Sequence, residues 1–224
     1  MIPKSIFISR PFQDSGETLK MYSAQGGRVI AESLVRFEAV TFEVPDFFDV
    51  IFFSSIRAAE FFLQQNVPTS VQFACAGKET ADKLKRQFQI SCEFIAQHAG
   101  NPNESAIEFL QWLGNRRVLF PKSEQSLNTY SNMVPSSQKW ESIVYRTCAI
   151  SKRIAPCDLY IFSSPSNVKA FLLSNSISGN LKCIAWGSST AQYLTDHDIH
   201  VFHQLQTGTL KELDAFLKDL LELN

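Results

Sequence analysis

The chain contains an internal repeat, and this repeat constrains the fold more than any other feature of its 224 residues. Asp49–Leu63 reads DVIFFSSIRAAEFFL, and Asp158–Leu172, 109 residues further on, reads DLYIFSSPSNVKAFL. Ala74–Leu84 and Ile184–Leu194, 110 residues apart, share the pattern G-x-x-T-A-x-x-L. Two linked matches at nearly the same offset indicate that a unit of about 110 residues has been duplicated.

Each copy alternates short β-branched and aromatic runs with helical patterns, which is typical of a parallel sheet flanked by helices. Two weaker matches extend the repeat: Ser5–Arg10 corresponds to Arg117–Lys122, and Leu34–Phe37 to Ile143–Tyr145. We therefore predict two similar α/β domains, each a parallel sheet flanked by helices. Strands are predicted near 4–8, 35–42, 49–53, 71–76, 91–95, 117–120, 142–149, 158–162, 182–186 and 199–203, and helices near 12–25, 55–65, 78–87, 104–114, 124–133, 165–175, 188–196 and 207–222.

Two long extended runs, Ser33–Val44 and Ser142–Ala155, lie at equivalent repeat positions and are rich in Val, Ile, Phe and Thr. We expect them to be paired strands that carry the chain from one domain to the other and back. The prediction is a discontinuous first domain, a continuous second domain and a two-stranded bridge, formed by residues 1–34 with 153–224, by residues 45–141, and by residues 35–44 with 142–152.

Composition excludes several classes of protein. The 21 basic and 22 acidic residues create no general field that would gather nucleic acid or a membrane surface. The longest apolar runs, such as Val50–Phe53, are far shorter than the roughly 20 residues that cross a bilayer. The N-terminus has no signal-peptide pattern, and five widely spaced cysteines without C-x-x-C argue against disulfides and zinc. We expect a cytoplasmic protein without nucleic-acid or membrane partners.

Four strand-to-helix junctions carry small hydroxyl residues or Gly. In open α/β sheets, ligands bind outside the carboxyl ends of the strands. A helix N-terminus offers unpaired N–H groups to anions, Ser or Thr can cap it, and Gly allows close approach to the backbone. The alternative is that these residues are the ordinary N-caps of any α/β fold. The candidate ligand-binding residues are Ser54, Ser55, Ile56, Gly77, Lys78, Thr80, Ser163, Ser164, Ser166, Gly187, Ser189 and Thr190.

Other kinds of site find little support in the sequence. His197, His200 and His203 lie close together, but His98 is remote and the pattern around Asp196 is that of a polar turn. We therefore predict no metal site. The sequence contains no G-x-S-x-G, Walker A or G-x-G-x-x-G motif, and Ser54 and Ser164 have no local base that would make them nucleophiles.

At these junctions the sequence resembles the uroporphyrinogen-III synthase family over nearly its whole length. The first strand ends in Ser9-Arg10-Pro11, which looks like the start of that family. The two D-x-x-x-F-x-S segments, the paired G-x-x-T-A turns and the segment Ser142–Thr147 are similar to family motifs in the same order. Residues 119–127 depart from the family pattern, which usually has a Gly and an Arg there.

The resemblance implies a lyase that dehydrates and cyclises hydroxymethylbilane, a linear tetrapyrrole with eight carboxylates, and inverts its last pyrrole ring through a spiro intermediate in haem biosynthesis. It implies no metal and no organic cofactor, a small-molecule substrate as the partner and a monomeric protein. Arg10 joins the substrate-binding candidates, and Tyr145 becomes the candidate general acid or orienting group. Its alternative role is that of a packed tyrosine on a bridging strand.

A second class of function remains open. The chain can also be a non-catalytic two-domain protein that closes on a small anionic ligand, or a relative of the synthase that has lost its activity. The sequence does not separate these from the enzyme.

Overall fold

The computed structural model describes residues 2–65, 70–97, 101–177 and 181–222. The chain divides into two compact units. Unit 1 comprises residues 1–36 and 148–224, and unit 2 comprises residues 37–147. Both units have a largely parallel sheet flanked by helices, which confirms the predicted α/β class.

In the described residues of unit 1 there are a five-stranded sheet and four α-helices. The strands are β1 (Ser5–Ile8), β2 (Arg28–Ala31), β9 (Leu159–Phe162), β10 (Lys182–Ala185) and β11 (Val201–Gln204), and the helices are α1 (Glu17–Ala24), α6 (Pro165–Leu172), α7 (Ser188–Thr195) and α8 (Leu210–Leu220). The strand order is β11-β10-β9-β1-β2, and all of these pairs are parallel. The first strand, β1, therefore lies between β2, from the N-terminal segment of the unit, and β9, from its C-terminal segment.

The described part of unit 2 contains most of a six-stranded sheet and four further helices. The strands are β3 (Val35–Ala39), β4 (Val50–Phe53), β5 (Gln72–Cys75), β6 (Phe94–Ile95), β7 (Val118–Ser123) and β8 (Lys139–Ala149), and the helices are α2 (Ile56–Leu63), α3 (Lys78–Phe88), α4 (Pro102–Leu113) and α5 (Thr129–Met133). The strand order is β3-β8-β7-β4-β5-β6. The five strands from β8 to β6 run parallel.

Each sheet is covered by helices on both faces. Since successive side chains of a strand point to opposite sides of the sheet, those of the inner strands are buried on either side. In β4, Ile51 and Phe53 pack in one apolar cluster with α2 and α3, while Val50 and Phe52 pack in a second cluster with α4 and α5. In β1, Phe7 packs with α6 and α7, and the other two apolar residues pack with α1 and α8. The continuous apolar strands of the sequence therefore reflect helices on both faces of each sheet.

The neighbours β3 and β8 belong to the two extended runs of the sequence. They run antiparallel: the Val40 N–H donates to the Val144 carbonyl, and the Ile150 N–H donates to the Leu34 carbonyl. Each run includes a boundary between the two units, after residue 36 or after residue 147. The exact limits predicted for the domains and the bridge stay predictions.

Near the N-terminus the structure corrects one predicted element and adds one that was not predicted. The single helix predicted near 12–25 is a 3₁₀ turn, Phe12–Asp14, followed by α1, which begins after Gly16. Gly16 has φ +95, and a Cβ there would lie 2.5 Å from Asp214 Oδ1. The strand β2 was not predicted, because its four residues follow a Gly-Gly turn and pair only along one edge of β1.

Candidate functional site

Parallel pairing places the strand-to-helix junctions of a unit along one edge of its sheet. In unit 1, this edge carries Arg10 after β1, Ser163 after β9 and Gly187 after β10. In unit 2, it carries Ser54 after β4 and Gly77 after β5, together with Lys122 at the end of β7. We call these the unit 1 edge and the unit 2 edge.

The junctions that contain two serines are ordinary capped helices. Ser55 is the N-cap of α2, and its Oγ accepts a hydrogen bond from the Ala58 N–H at 3.3 Å. Ser164 is the N-cap of α6, and its Oγ accepts from the Asn167 N–H at 3.3 Å. At these two positions the alternative interpretation, that the serines satisfy the fold, has direct support.

The junctions that contain Gly have no side-chain cap. Gly77 and Gly187 are the N-caps of α3 and α7, with extended φ values of 169 and −179. Such backbone suits any residue, and a Cβ on Gly187 would meet no atom within 4 Å. Packing within the described chain therefore does not require Gly at position 187. Ser188 and Ser189, which follow it, are exposed, and their backbone N–H groups donate no hydrogen bond to a described residue.

The two threonines of these junctions do not cap the helices, which corrects the expectation drawn from their hydroxyl groups. Neither α3 nor α7 has a side-chain hydrogen bond at its N-cap. Thr190 is only 2% exposed, so it packs inside unit 1, whereas Thr80 is partly exposed. Of the remaining candidates, Lys78 and Ser189 are exposed, and Ile56 and Ser166 are partly buried in the first turns of their helices.

A hydrogen-bond network fills the centre of the unit 1 edge. The Ser163 N–H donates to Ser9 Oγ at 2.8 Å, and the Ser163 hydroxyl lies within hydrogen-bond distance of the Ser9 carbonyl, 2.9 Å. Buried Asn167 donates to Ser164 Oγ at 3.1 Å, and its Oδ1 accepts from the Leu34 N–H at 2.8 Å. The hydroxyl of Ser163 is thus engaged by the protein itself.

Arg10 lies beside this network on an aromatic residue that the sequence analysis missed. Its guanidinium stacks over Trp186, 4.6 Å from the ring centroid, and the Trp186 Nε1–H donates to the Gly208 carbonyl at 2.6 Å. Burial lowers the pKa of Arg10 and outweighs the negative charge of Asp14, which raises it. The guanidinium nevertheless stays cationic. Arg10 has no hydrogen bond or ion pair within the described ranges, so its N–H groups remain available to an anion.

The unit 2 edge contains a cavity of about 290 Å³ in place of such a network. Ser54 is exposed there and makes no hydrogen bond to the described part of the chain. Lys122 lines the cavity and donates to Asn128 Oδ1 at 2.9 Å and to Glu141 Oε2 at 2.8 Å. Burial alone would raise the pKa of Glu141, but hydrogen bonds from Lys122 and Ser131 lower it below its ordinary value.

Tyr145, the candidate general acid, lies in β8 and is 9% exposed. Its ring stacks on Phe61, with centroids 5.2 Å apart, and meets the edge of Phe37 at 5.9 Å. Its hydroxyl makes no hydrogen bond to a described residue. The ring therefore has the packing role that was its alternative interpretation, and a catalytic role stays a prediction.

No group of three or more His, Cys, Asp or Glu side chains within the described ranges can hold a metal ion. His197 stacks on Tyr193, and His203 stacks on Phe216 at 3.8 Å between ring centroids. His98 lies outside the described residues. Among the helices that the structure describes, none is long and apolar enough to cross a membrane.

A family model described as "Uroporphyrinogen-III synthase HemD" matches residues 17–213. The chain belongs to the uroporphyrinogen-III synthase family. Two solved structures share its fold. The uroporphyrinogen-III synthetase of Helicobacter pylori is 17% identical with a TM-score of 0.71, over 97% of this chain and 99% of that one. A mutant uroporphyrinogen III synthase of Thermus thermophilus is 13% identical with a TM-score of 0.61, over 98% and 100%. A search of curated proteins gave no significant match.

Proposed function

We propose that this member of the uroporphyrinogen-III synthase family is an active synthase that dehydrates and cyclises hydroxymethylbilane and inverts the last pyrrole ring through a spiro intermediate. One observation carries the proposal: in both repeats an inner strand of the sheet leads into a helix that has no side-chain cap and whose N-cap is an extended Gly, Gly77 or Gly187. A protein of net charge −1 needs local donors to hold a substrate with eight carboxylates, and free N–H groups at helix ends are such donors.

The proposed chemistry depends more on geometry than on a nucleophile. The terminal hydroxyl of the substrate leaves as water and creates an electrophilic carbon. Without the protein, the unsubstituted carbon of the last pyrrole attacks it, and the ring closes to the unrearranged isomer. The protein must instead hold the bent chain so that the substituted carbon of the last pyrrole attacks first. Holding two reacting centres in contact distance can supply about 7–11 kcal/mol of the barrier. Many weak contacts to carboxylates suit this task, and no cofactor is expected.

Tyr145 is the proposed donor of a hydrogen bond to the departing hydroxyl. Its stacking on Phe61 fixes the ring plane, while its hydroxyl has no partner in the described chain. Tyr145→Phe keeps the packing and removes only the oxygen. We expect kcat/KM to fall on the order of 10²-fold, which is typical for the loss of one transition-state hydrogen bond. Phe61→Leu is the matched variant, because it disturbs the packing and keeps the hydroxyl. An unchanged rate for folded Tyr145→Phe would leave the tyrosine with its packing role alone.

The synthase assay decides between the enzyme and a non-catalytic relative. Hydroxymethylbilane is generated enzymatically, the protein is added, and the oxidised products are separated by isomer. The proposal expects the type III isomer in excess of the spontaneous type I isomer. Type I isomer alone, at the rate without protein, would leave a binding protein or a decayed relative. Monomeric state and cytoplasmic location also stay proposals, testable by sedimentation and by fractionation of cells.

A further inference from the structure

The cavity at the unit 2 edge has the size of a single small ring. Its volume of about 290 Å³ lies at the lower end of the range for small-molecule pockets, so it can hold one ring with short side chains and not a whole tetrapyrrole. Its wall combines apolar and polar groups from the ends of β4, β5 and β7 and from the starts of α4 and α5. Those used below are Phe52, Ser54, Ala76, Lys122, Asn128 and Tyr130.

The repeat shows what the equivalent position holds in the other unit. Ala76 precedes Gly77 as Trp186 precedes Gly187, and Lys122 corresponds to Arg10 at the end of the matching strand. In unit 1 the indole of Trp186 stacks against the Arg10 guanidinium at 4.6 Å. In unit 2 the strand-end cation lines an open cavity, and the small side chain of Ala76 lines it too. Unit 1 thus supplies its own aromatic ring where unit 2 has space.

The charge of the cavity wall favours an anionic arm on that ring. The Lys122 side chain is only 13% exposed, and its ammonium has three N–H donors, of which Asn128 and Glu141 take two. No third acceptor occurs among the described residues. Lys139 lies in the same cluster, where its Nζ donates to the Ser131 carbonyl at 2.6 Å, so two cations face one carboxylate. The cluster keeps one net positive charge beside a mostly apolar cavity.

We propose that the unit 2 cavity holds one five-membered aromatic ring of the substrate, with a carboxylate side chain of that ring on Lys122. The ring packs on the apolar wall to which Phe52 and Tyr130 contribute, two rings in tilted contact with centroids 4.4 Å apart. The assignment of the ring to a pyrrole rests on the proposed function, but the cavity, the free donor and the internal aromatic counterpart do not.

The direct test is binding of a monopyrrole that carries an acetate and a propionate side chain to the full chain, followed by amide NMR shifts. Because a ligand of this size binds with a Kd on the order of 0.1–1 mM, the titration extends to about 10 mM. We expect shifts at Ser54, Ala76 and Asn128, and a markedly weaker response to the dimethyl ester of the same pyrrole. Absence of shifts, or shifts confined to residues outside the cavity, would overturn the proposal.

Two variants and one control test the residues. Lys122→Met removes the cation. We expect the Kd of this variant for the monopyrrole to be about 10-fold higher or more, since hydrogen bonds to charged groups are strong. Ala76→Trp places in unit 2 the residue of unit 1, leaves Lys122 in place, and is expected to abolish binding by filling the cavity. Lys83→Met is the control, because it removes a partly exposed lysine on α3, paired with Glu79 at 2.7 Å, that does not line the cavity. Thermal melts show which variants are folded.

The outcomes separate this inference from the proposed function. If the wild-type protein forms the type III isomer but folded Lys122→Met and Ala76→Trp bind the monopyrrole as tightly as wild type does, the cavity is not a ring site and the synthase stands. If the monopyrrole binds in the cavity with the expected variant effects while no type III isomer forms, the ring site stands and the synthase activity does not.

Discussion

Ser54 and Ser163 occupy the same position of the repeat, yet the structure uses them differently. Ser163 is tied to Ser9 by its N–H and its hydroxyl, whereas Ser54 is exposed and makes no hydrogen bond to the described chain. A residue near each serine differs as well. Asn167, whose side chain makes hydrogen bonds in unit 1, corresponds in unit 2 to Ala58, whose side chain can make none. Both copies of the repeat retain the strand-to-helix turn, but the serine in it makes hydrogen bonds in only one of them. A shared motif therefore does not imply a shared role.

The contrast extends along both edges. The unit 1 edge is occupied by its own side chains, including Trp186 under Arg10. The unit 2 edge has small side chains at the matching places and a cavity lined by Lys122. Unit 1 therefore has the more preorganised edge, and unit 2 has the one with room for a ligand group. The following changes test this difference.

Asn167→Ala gives unit 1 the residue that unit 2 has at this position, and it carries the largest expected effect. The Leu34 N–H loses its buried acceptor, and an unsatisfied buried donor together with the lost packing costs about 2–4 kcal/mol. The measurement is the free energy of unfolding in urea. Ser54→Ala in unit 2 is the matched control and should change it by less than about 0.5 kcal/mol. Equal effects of the two variants would contradict the difference between the edges.

Gly187→Ala tests whether the uncapped helix of unit 1 receives a carboxylate. The added Cβ has free space and an extended backbone, so the melting temperature should stay unchanged. If a carboxylate approaches the N–H groups of α7, the methyl group obstructs it, and kcat/KM should fall about 10-fold. Full activity in a variant of unchanged stability would remove Gly187 from the substrate site.

Trp186→Leu removes the aromatic support of Arg10, and Trp186→Phe keeps a smaller one. A cation–π contact contributes about 0.5–2 kcal/mol, so we expect KM to rise several-fold for Leu and less for Phe, with kcat little changed. A fall in kcat with constant KM would show that Trp186 affects the reaction step and not the orientation of Arg10.

The smallest expected effect is the pH dependence that Glu212 of unit 1 adds to the stability of the protein. The hydroxyl of Thr207 and the N–H groups of Gln206, Thr207 and Gly208 lower the pKa of Glu212 to about 2. Since the folded pKa lies below the ordinary 4.5, the contribution of this carboxylate to stability is present above pH 4.5 and is lost as the pH falls towards 2. NMR titration of its side-chain carbonyl should give a midpoint near 2, and a midpoint near 4.5 would disprove the hydrogen-bonded loop.

The sequence predicted much of the fold because local patterns specify it. The repeat, the apolar strands and the small residues of the junctions are readable in order, and they predicted the α/β class and the family. The start of α1 was missed because its cap is remote in sequence: Asp214 in α8 accepts from the Thr18 N–H at 2.9 Å. No local signal announces such a partner.

The candidate site was predicted less completely. Ser or Gly at a junction can be recognised in the sequence, but whether a hydroxyl caps its helix depends on where the helix begins. Ser55 and Ser164 are the N-caps of their helices, whereas Thr80 and Thr190 lie three residues after the N-caps of theirs. Trp186 had a usable signal, because it precedes one of the two paired glycines. The cavity had none, since it arises where a small residue after β5 leaves space beside residues from four other elements.

The position of β1 in its sheet sets an order of assembly. Unit 2 consists of one continuous segment, so all its strands can pair before residues 148–224 leave the ribosome. Unit 1 cannot be completed then, because β1 pairs with β9, about 150 residues later, and α1 is capped from α8. Until β9 is made, one edge of β1 lacks its neighbour, and this edge is open to non-native pairing during synthesis.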